Sequence, residues 1–313
     1  MSHAALGPID PIGPLGLGLD AGGTQTRWAL ATPDGQLVAQ GQAAPVSGAQ
    51  LGSEDGRAAF ARTLAELAAD ASRQGAATGV LAGVTGLGTE HTPALHALLA
   101  RAFALPMTAV GSMSDIELAC HAAFAPGQGY VVYAGTGSIA AYLDEAGALH
   151  RAGGRGPVID DAGGGHWIAR QALRQVWRAE DEAPGAWQRS VLARALFDTL
   201  GGSDWAATRQ WVYGATRGEL GTLALAVARA AHEGDAVALA LLQEAGVELA
   251  RLGRALLRRH GARPLVLAGR VFDLHPAIET ALRDSLPFST ESRRLTLHAH
   301  HTAARLAAAR GSP

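Results

Sequence analysis

The chain of 313 residues contains no lysine, so every basic side chain other than its 12 histidines is an arginine. A Walker A loop needs a lysine that reaches the β- and γ-phosphates, and protein kinases need a strand lysine, so both classes are excluded. Catalysis through a lysine Schiff base is excluded for the same reason. Asparagine is also absent. We interpret the joint absence as coding bias and expect asparagine to be missing even where related chains use it.

Cysteine, net charge and long apolar runs are scarce as well. The single Cys120 excludes an intramolecular disulfide and a four-cysteine zinc site, and it predicts a reducing, cytoplasmic location. A formal net charge of −2 gives no electrostatic argument for binding nucleic acid or an anionic membrane. No apolar run approaches the roughly 20 residues of a membrane-spanning helix. Residues 1–14 lack the pattern of a secretion signal, and we expect a flexible tail there.

Glycine is abundant, with 40 residues, and two glycine-rich stretches resemble each other. Residues 15–31 and 130–143 each read as an apolar strand, a turn of small residues and a second apolar strand. Gly22 and Gly135 are 113 positions apart, and Gly35 and Gly147 in the following turns are 112 apart. This spacing predicts two domains built on one plan, each presenting a phosphate-binding turn to a shared cleft. For the first stretch alone, an ordinary hairpin with a Gly-Gly turn is the alternative.

The chemistry of the two turns suits an anion. Glycine permits positive φ, which lets successive N–H groups point at one phosphate, and hydroxyls add donors. Asp20 ends the first strand, where a carboxylate can hold Mg²⁺ through water. The candidate phosphate-binding residues are Gly22, Gly23, Thr24 and Thr26 in the first turn and Gly135, Thr136, Gly137 and Ser138 in the second.

Periodicity and turn signals predict α/β layers, with three strands opening each half. An antiparallel start of this kind, and the lack of Gly-x-Gly-x-x-Gly after a strand, argue against a doubly wound Rossmann sheet. In the first half we predict a helix over 53–74, a strand over 79–84, a helix over 93–103, a strand over 107–110 and a helix over 116–124. In the second half we predict a helix over 166–179, mostly helix over 187–260, a strand over 264–269, a helix over 276–285, a strand over 295–297 and a closing helix over 302–309.

Several carboxylates follow predicted strands or precede glycine runs. Asp115 follows a strand and opens a helix, so it is a candidate general base, with an N-cap as the alternative. As a base it would mainly orient a hydroxyl and take its proton late in a loose transition state. Asp160 and Asp161 could bind a polyol or form a solvated loop pair. The glycines 163–165 precede a helix and could bind an anion at its N-terminus.

Three further features have two interpretations each. Gly269 follows a strand and could approach a flat base, or it could form a plain turn. His298, His300 and His301 invite a metal interpretation, but imidazoles without nearby cysteine or carboxylate on a short strand are more typical of an exposed sheet edge. Cys120 lies on a predicted helix and is expected to be a small buried apolar group.

Taken in order, the motifs resemble the N-acetylglucosamine kinases and their BadF-type ATPase relatives, in the sugar kinase, heat-shock chaperone and actin superfamily. The resemblance spans about residues 15–310. It rests on the Asp20 to Thr24 turn, Asp115, the Gly135 to Ser138 turn and segments 154–172 and 267–272. It implies two ribonuclease H-like domains closing on ATP and Mg²⁺. The first would span 15–117 plus a closing helix at about 300–313, and the second 118–299 with a helical insertion.

The resemblance also implies roles for individual residues. Asp115 would be the base on the 6-hydroxyl of an amino sugar, with Asp20 holding Mg²⁺ through water and the two turns binding phosphate. The sugar would contact Thr85, Gly86, Asp115 and Asp161, and the adenosine would contact Gly269 and Arg270. Because relatives are often dimers, the resemblance further implies a homodimer.

The chain departs from the family pattern at three places near the expected sugar site. Arg155 replaces a tryptophan, Ala162 replaces a glutamate, and residues 45–48, beginning with Pro45, stand where an asparagine is expected. N-acetylglucosamine is therefore the first candidate acceptor, with glucosamine or another hexose as alternatives.

Two functions of other classes are also considered. An ATPase that activates a dehydratase through an iron–sulfur cluster needs cysteine ligands, and one cysteine per chain supplies only two in a dimer. A nucleotide-dependent regulator without catalysis is disfavoured by the intact Asp115 and by the lack of a visible helix-turn-helix extension.

Overall fold

The computed structural model describes residues 14–310. Nearly all of the predicted flexible tail (1–13) and the last part of the predicted closing helix (311–313) lie outside the described residues. The described chain divides into two compact units. Unit 1 comprises residues 14–122 and 298–310, and unit 2 comprises residues 123–297. The chain therefore leaves unit 1, builds unit 2 and then returns.

The elements of unit 1 before the chain enters unit 2 are β1 (Leu15–Ala21), β2 (Thr26–Ala31), β3 (Leu37–Ala43), α1 (Glu54–Ser72), β4 (Ala77–Val84), α2 (Thr92–Phe103), β5 (Val110–Ser114) and α3 (Asp115–Ala123). Unit 2 contains β6 (Tyr130–Ala134), β7 (Ser138–Leu143), β8 (Leu149–Gly153), α4 (Gly165–Glu182), α5 (Val191–Leu200), α6 (Trp205–Gly214), α7 (Arg217–Thr222), α8 (Ala224–His232), α9 (Ala236–His260), β9 (Leu265–Ala268), α10 (Pro276–Asp284) and β10 (Ser292–Arg294). The helix α11 (Ala299–Arg310) returns to unit 1.

Each unit contains one mixed five-stranded sheet, and the two sheets have the same design. The strand order is β3-β2-β1-β4-β5 in unit 1 and β8-β7-β6-β9-β10 in unit 2. The first three strands of each unit pair antiparallel. The remaining two extend each sheet in parallel. The predicted fold class, α/β with a repeated three-strand start, is confirmed.

Strand β1 alternates leucine and glycine, and its two faces pack against different partners. Leu15, Leu17 and Leu19 are buried in a core that also contains Phe60 and Leu64 of α1. On the other face, a Cβ at Gly16 or Gly18 would overlap the backbone of α11 at Ala308 or Ala304. The glycines therefore let α11 pack directly on the strand, a role that the sequence analysis did not assign to them.

The core of unit 2 comes largely from its helical insertion. The long helix α9 buries one face against the sheet, and α4, α5 and α8 contribute most of the other apolar side chains. Asp235 caps α9, because its side chain accepts from the amides of Val237 and Ala238. Its second oxygen accepts from the Leu192 amide at 2.9 Å, which ties α5 to the start of α9.

Two predicted strands were misplaced. Residues 107–109 form a single 3₁₀ turn, in which the Ala109 amide donates to the Pro106 carbonyl, and β5 begins only at Val110. The last strand, predicted over 295–297, lies at Ser292–Arg294. It is an edge strand with exposed Arg293 and Arg294, so an apolar run does not mark it.

Candidate functional site

In unit 1, three polar side chains lie where neighbouring parallel strands end. Asp20 is near the end of β1, Thr85 follows β4 and Asp115 follows β5. The Thr85 amide donates to the Ala21 carbonyl at 2.9 Å, which extends the β1–β4 pairing to this point. The carboxyl ends of parallel strands form the usual ligand-binding edge of an α/β sheet. The structure thus brings together the predicted metal ligand, the predicted base and a predicted sugar-loop residue.

The two carboxyl groups have perturbed acidities. The pKa of Asp20 is raised to about 6, mainly by burial and to a smaller extent by the charge of Asp115, while the charge of Arg27 opposes the rise. Burial also raises the pKa of Asp115, while hydrogen bonds with the Thr85 side chain and the Ile116 amide oppose that rise. Two partly buried carboxylates that repel each other suit a hard cation, because Mg²⁺ prefers oxygen ligands and offsets their charge. The residues therefore fit the Mg²⁺ that the resemblance implies.

Asp115 is not the N-cap of α3. Ser114 Oγ accepts from the Glu117 amide at 3.3 Å, which is the bond that an N-cap makes with the third helical residue. Asp115 is the first residue of the helix, and its Oδ1 accepts from the Ile116 amide at 2.9 Å. The capping alternative for Asp115 is therefore wrong, since its neighbour performs that function.

The first glycine turn joins β1 to β2. The Gly22 amide donates to the Gln25 carbonyl at 3.1 Å. Neither Gly22 nor Gly23 has a positive φ, so the conformational reason given for these glycines is wrong. A Cβ at Gly23 would meet no atom within 4 Å, and Gly23 and Thr24 are the exposed residues of the turn.

Thr26 differs from the other three predicted phosphate residues of this turn. It opens β2 and is only 1% exposed. Its Oγ1 is buried without a hydrogen-bond partner in the described part of the chain. The hydroxyl therefore points into unit 1 and does not contribute to the exposed surface of the turn.

The second glycine turn, between β6 and β7, is held by α4. The amides of Gly165 and His166 in the first turn of α4 donate to the carbonyls of Gly135 and Thr136, at 2.9 and 3.0 Å. Ser138 is buried, and its Oγ donates to the Ala162 carbonyl at 2.7 Å. The prediction of an anion site at the N-terminus of α4 is therefore wrong, because two of the amides there already donate to carbonyls of the second turn.

Asp161 lies directly beneath the second turn. It is 3% exposed, forms an ion pair with Arg217 of α7, and accepts from the Gly156 amide at 3.1 Å. A Cβ at Gly137 would overlap both the Asp161 carboxylate and the Arg217 guanidinium. The solvated-loop alternative is therefore wrong for Asp161.

Asp160, the neighbour of Asp161, is partly buried and pairs with Arg251 at 3.1 Å.

Arg217 was missed by the sequence analysis. It lies 56 positions after Asp161, and no local pattern links the two residues. Only the packing of α7 beside the second turn reveals the pair.

Gly269, in the predicted adenosine loop, has a structural requirement of its own. It follows β9 with φ of 100°, and a Cβ there would overlap the backbone of Ala134 at the end of β6. A side chain is therefore excluded whether or not a base binds nearby. Arg270 is exposed at the start of a 3₁₀ turn, and its contact with adenosine stays a prediction.

The segment that replaces the expected asparagine lies against the predicted sugar loop. The Gly48 amide donates to the Thr85 carbonyl at 2.9 Å, and a Cβ at Gly48 would overlap the Gly86 carbonyl. The Ser47 amide is bonded to the Gln50 side chain at 2.8 Å. Residues 45–48 therefore support the Thr85–Gly86 loop with backbone groups.

The family follows from a match over most of the chain. The sequence model of the BadF/BadG/BcrA/BcrD ATPase family matches residues 17–299. This chain belongs to that family. The matched stretch contains both glycine turns, the Asp20, Thr85 and Asp115 group, and the Asp161–Arg217 pair.

Named relatives of this BadF-family chain include sugar kinases. Over 139 residues it is 29% identical to an N-acetylmuramic acid/N-acetylglucosamine kinase of Clostridium acetobutylicum, and the match covers 44% of each protein. The chain thus matches less than half the length of that curated relative.

Two solved structures match nearly the whole of this BadF-family chain. A structure from Chromobacterium violaceum, provisionally named an N-acetylglucosamine kinase, is 27% identical, with a TM-score of 0.73 over 93% of this chain and 98% of that one. A similarly named structure from Porphyromonas gingivalis has a TM-score of 0.74 over 94% of this chain and 98% of that one, at 17% identity, and shows the fold alone.

Two remaining predictions concern the membrane and the histidines. Among residues 14–310, no helix is both long and apolar enough to cross a membrane.

The histidines do not lie on an edge strand, because His298 precedes α11 and both His300 and His301 lie in its first turn. His300 is buried, so the interpretation as an exposed sheet edge is wrong.

Proposed function

We propose that this BadF-family protein is an ATP-dependent sugar kinase that phosphorylates a hydroxyl of an amino sugar, with the 6-hydroxyl of N-acetylglucosamine as the first candidate. The observation that carries the proposal is the partly buried group of Asp20, Thr85 and Asp115 at adjoining strand ends. The names of the relatives support the sugar substrate class. The low identity leaves the particular sugar to experiment.

Asp115 is the proposed base. The acceptor oxygen forms a bond to the γ-phosphorus as the bond to the β-phosphate oxygen breaks, and the hydroxyl proton passes to the Asp115 carboxylate. Because burial raises the pKa of Asp115, its ionised form accepts a proton more readily than an ordinary aspartate. The hydrogen bond with Thr85 holds the carboxylate in one orientation.

Phosphate binding without lysine relies on the two turns. We assign contacts with phosphate to the exposed Gly23 and Thr24 of the first turn and to Thr136 and Gly137 of the second. Asp20 would hold Mg²⁺, which when bound neutralises charge on the phosphate oxygens. Gly22 and Gly135 each donate their amide within their own turn, so they shape the turns and leave binding to their neighbours.

The predicted contacts with the acceptor sugar are Thr85, Gly86 and Asp115 in unit 1 and Asp161 in unit 2. A carboxylate can accept hydrogens from two sugar hydroxyls, but the described contacts of Asp161 are with Arg217 and the Gly156 amide. Arg217 would therefore have to share the carboxylate with the sugar. An acidic amino sugar is a second candidate, favoured by the exposed cation of Arg155 beside Gly156.

The environment of Cys120, the only cysteine in the sequence, does not support the alternative function of an ATPase that activates a dehydratase through an iron–sulfur cluster. Cys120 is 4% exposed on α3, and burial raises the pKa of its thiol to about 12. Cluster ligands are thiolates, whereas this thiol is neutral and enclosed. Its burial also agrees with the small apolar role expected from the sequence.

The test is a coupled assay of ADP release by the full chain with MgATP. The sugars are N-acetylglucosamine, N-acetylmuramic acid, glucosamine and glucose, with mass spectrometry of the products. We expect ADP release that depends on one or more amino sugars, together with a sugar phosphate. ATP turnover that is unchanged by every sugar in the panel would overturn the proposal.

The variant Asp115→Ala tests the base separately. We expect it to bind ATP normally and to lose phosphoryl transfer by about 10²–10⁴-fold, the usual contribution of a positioned base. Asp55→Ala, at an exposed position on α1 of the same unit, is the matched control and should retain full activity. Near-normal turnover in Asp115→Ala would refute the assignment.

A further inference from the structure

Three imidazoles meet where the chain returns to unit 1. His298, His300 and His301 each offer one ring nitrogen such that all three nitrogens lie within 4.8 Å of one another. The ring centroids of His300 and His301 are 4.1 Å apart, and those of His298 and His301 are 4.9 Å apart. The group is anchored to the sheet, because a Cβ at Gly18 of β1 would overlap the His300 carbonyl.

The outer contact of His301 fixes which of its nitrogens is a donor. Its Nε2 lies 2.6 Å from Oε1 of Gln40 on β3. Because that amide oxygen can only accept, Nε2 carries a proton, and Nδ1 has a lone pair whenever the ring is neutral. Metal-binding histidines commonly donate their second ring N–H to a carbonyl or carboxylate in this way.

His300 supplies a buried nitrogen that nothing in the described chain satisfies. The residue is 4% exposed, and its Nδ1 has no hydrogen-bond partner among residues 14–310. A buried polar atom without a partner is uncommon in folded proteins and requires an explanation. An unpartnered imidazole nitrogen offers a lone pair to a metal ion when the ring is neutral.

Two arginines near the three histidines carry positive charge, which opposes the binding of a cation. Arg27 acts on His300, and Arg305 acts on His301. Asp20 lies opposite Arg27 across the β1–β2 pair and interacts with it electrostatically, which offsets part of that charge. Imidazole nitrogens do not suit Mg²⁺, which prefers oxygen ligands. They suit borderline ions such as Zn²⁺, Co²⁺, Ni²⁺ or Cu²⁺.

We propose that His298, His300 and His301 form a binding site for a divalent transition-metal ion, best represented by Zn²⁺, with three nitrogen ligands and one position open to water. In a tetrahedral site with Zn–N bonds of about 2.0–2.1 Å, ligand nitrogens lie about 3.4 Å apart. The nitrogens, now within 4.8 Å of one another, would have to move closer to bind the ion, and His298 is exposed and has room to move. A bound ion would fasten the start of α11 to the β3 edge through His301 and Gln40.

The site does not depend on the proposed kinase function. The test uses the full chain without an affinity tag, treated with chelator and freed of it, with Zn²⁺ followed by calorimetry and Co²⁺ by visible absorption. We expect one Zn²⁺ per chain, a Co²⁺ spectrum typical of nitrogen ligands, and a higher melting temperature with Zn²⁺, because an ion that binds the native state stabilises it.

The variants His298→Ala and His301→Ala should each weaken Zn²⁺ binding by at least about tenfold, and Gln40→Leu by about tenfold, as for outer contacts in known sites. His91→Ala removes an imidazole of the same unit outside the group and should bind as the parent does. Because His298 is exposed, we expect His298→Ala to fold. The test therefore remains decisive even if His301→Ala does not fold. Absence of saturable binding, or equal affinity in the parent and His298→Ala, would overturn the proposal.

Discussion

Ionisation of the Asp20 carboxyl opposes folding. Its pKa is raised from 3.8 to about 6 in the folded chain, so the native state binds a proton more tightly than the unfolded state does. Stability from this group is fully present below about pH 4 and is lost as the pH rises through about 6. At neutral pH, ionised Asp20 therefore lowers the free energy of unfolding of the ligand-free protein, and a bound cation would offset this loss.

Asp20→Asn should accordingly stabilise the ligand-free protein at pH 7.5, by about 1–2 kcal/mol, since each pKa unit corresponds to 1.36 kcal/mol and the loss of Arg27's partner offsets part. The advantage should vanish near pH 4. Urea unfolding at both pH values measures it, with the exposed Asp55→Asn as the control. A variant less stable than the parent at pH 7.5 would contradict the assigned burial of charge.

The Asp161–Arg217 pair gives a second prediction for single residues. Arg217→Ala leaves the 4% exposed Asp161 side chain without its cation, and we expect a loss of about 1–3 kcal/mol. This loss is smaller than the roughly 3–5 kcal/mol for breaking a fully buried pair, because the Arg217 side chain is 44% exposed. Arg251→Ala breaks the more exposed pair with Asp160 and should cost at most about 1 kcal/mol. Equal effects in urea unfolding would count against a special role for Asp161.

Among the elements, the contact of α11 with β1 depends on backbone approaching backbone. Glycine at positions 16 and 18 and alanine on α11, at 303, 304, 307 and 308, remove the side chains that would keep the two elements apart. Such a contact joins the last helix of residues 14–310 to the first strand of the same range. It makes unit 1 incomplete without residues that follow all of unit 2 in the sequence.

Gly18→Val should therefore destabilise unit 1 strongly, by about 3 kcal/mol or more, because the added side chain overlaps the backbone at Ala304, which cannot move aside cheaply. Gly23→Ala is the matched control, since its Cβ meets no atom within 4 Å, and its stability should equal that of the parent. Chemical unfolding of the two variants measures the difference. A small effect at Gly18 would mean that α11 is not tightly packed on β1.

Elements with a strong period or apolar run were predicted well from sequence, and those without one were not. β1, β2, β4 and α1 lie within a few residues of their predicted bounds because their apolar residues recur at the period of the structure. The edge strand β10 carries two exposed arginines and was misplaced. The first residues of α11 were also missed, because two histidines in its first turn hide its helical pattern.

At the scale of the whole molecule, the repeat is the dominant feature. Two sheets with one strand order carry a glycine turn at the same point, after the first strand of each. In both units, α-helices separate the third strand of the sheet from the fourth. Unit 1 has one α-helix at this point, and unit 2 has six. The BadF family match covers both halves of this arrangement.

The sequence by itself determined the repeated strand pattern, the two glycine turns and the exclusion of lysine chemistry, because composition and local periodicity are properties of neighbouring residues. Only the tertiary structure decided that Asp20, Thr85 and Asp115 adjoin, that Arg217 pairs with Asp161, and that the first amides of α4 bond to the second turn. Those contacts join residues tens of positions apart. They arise from strand order and helix packing, which local sequence patterns do not specify.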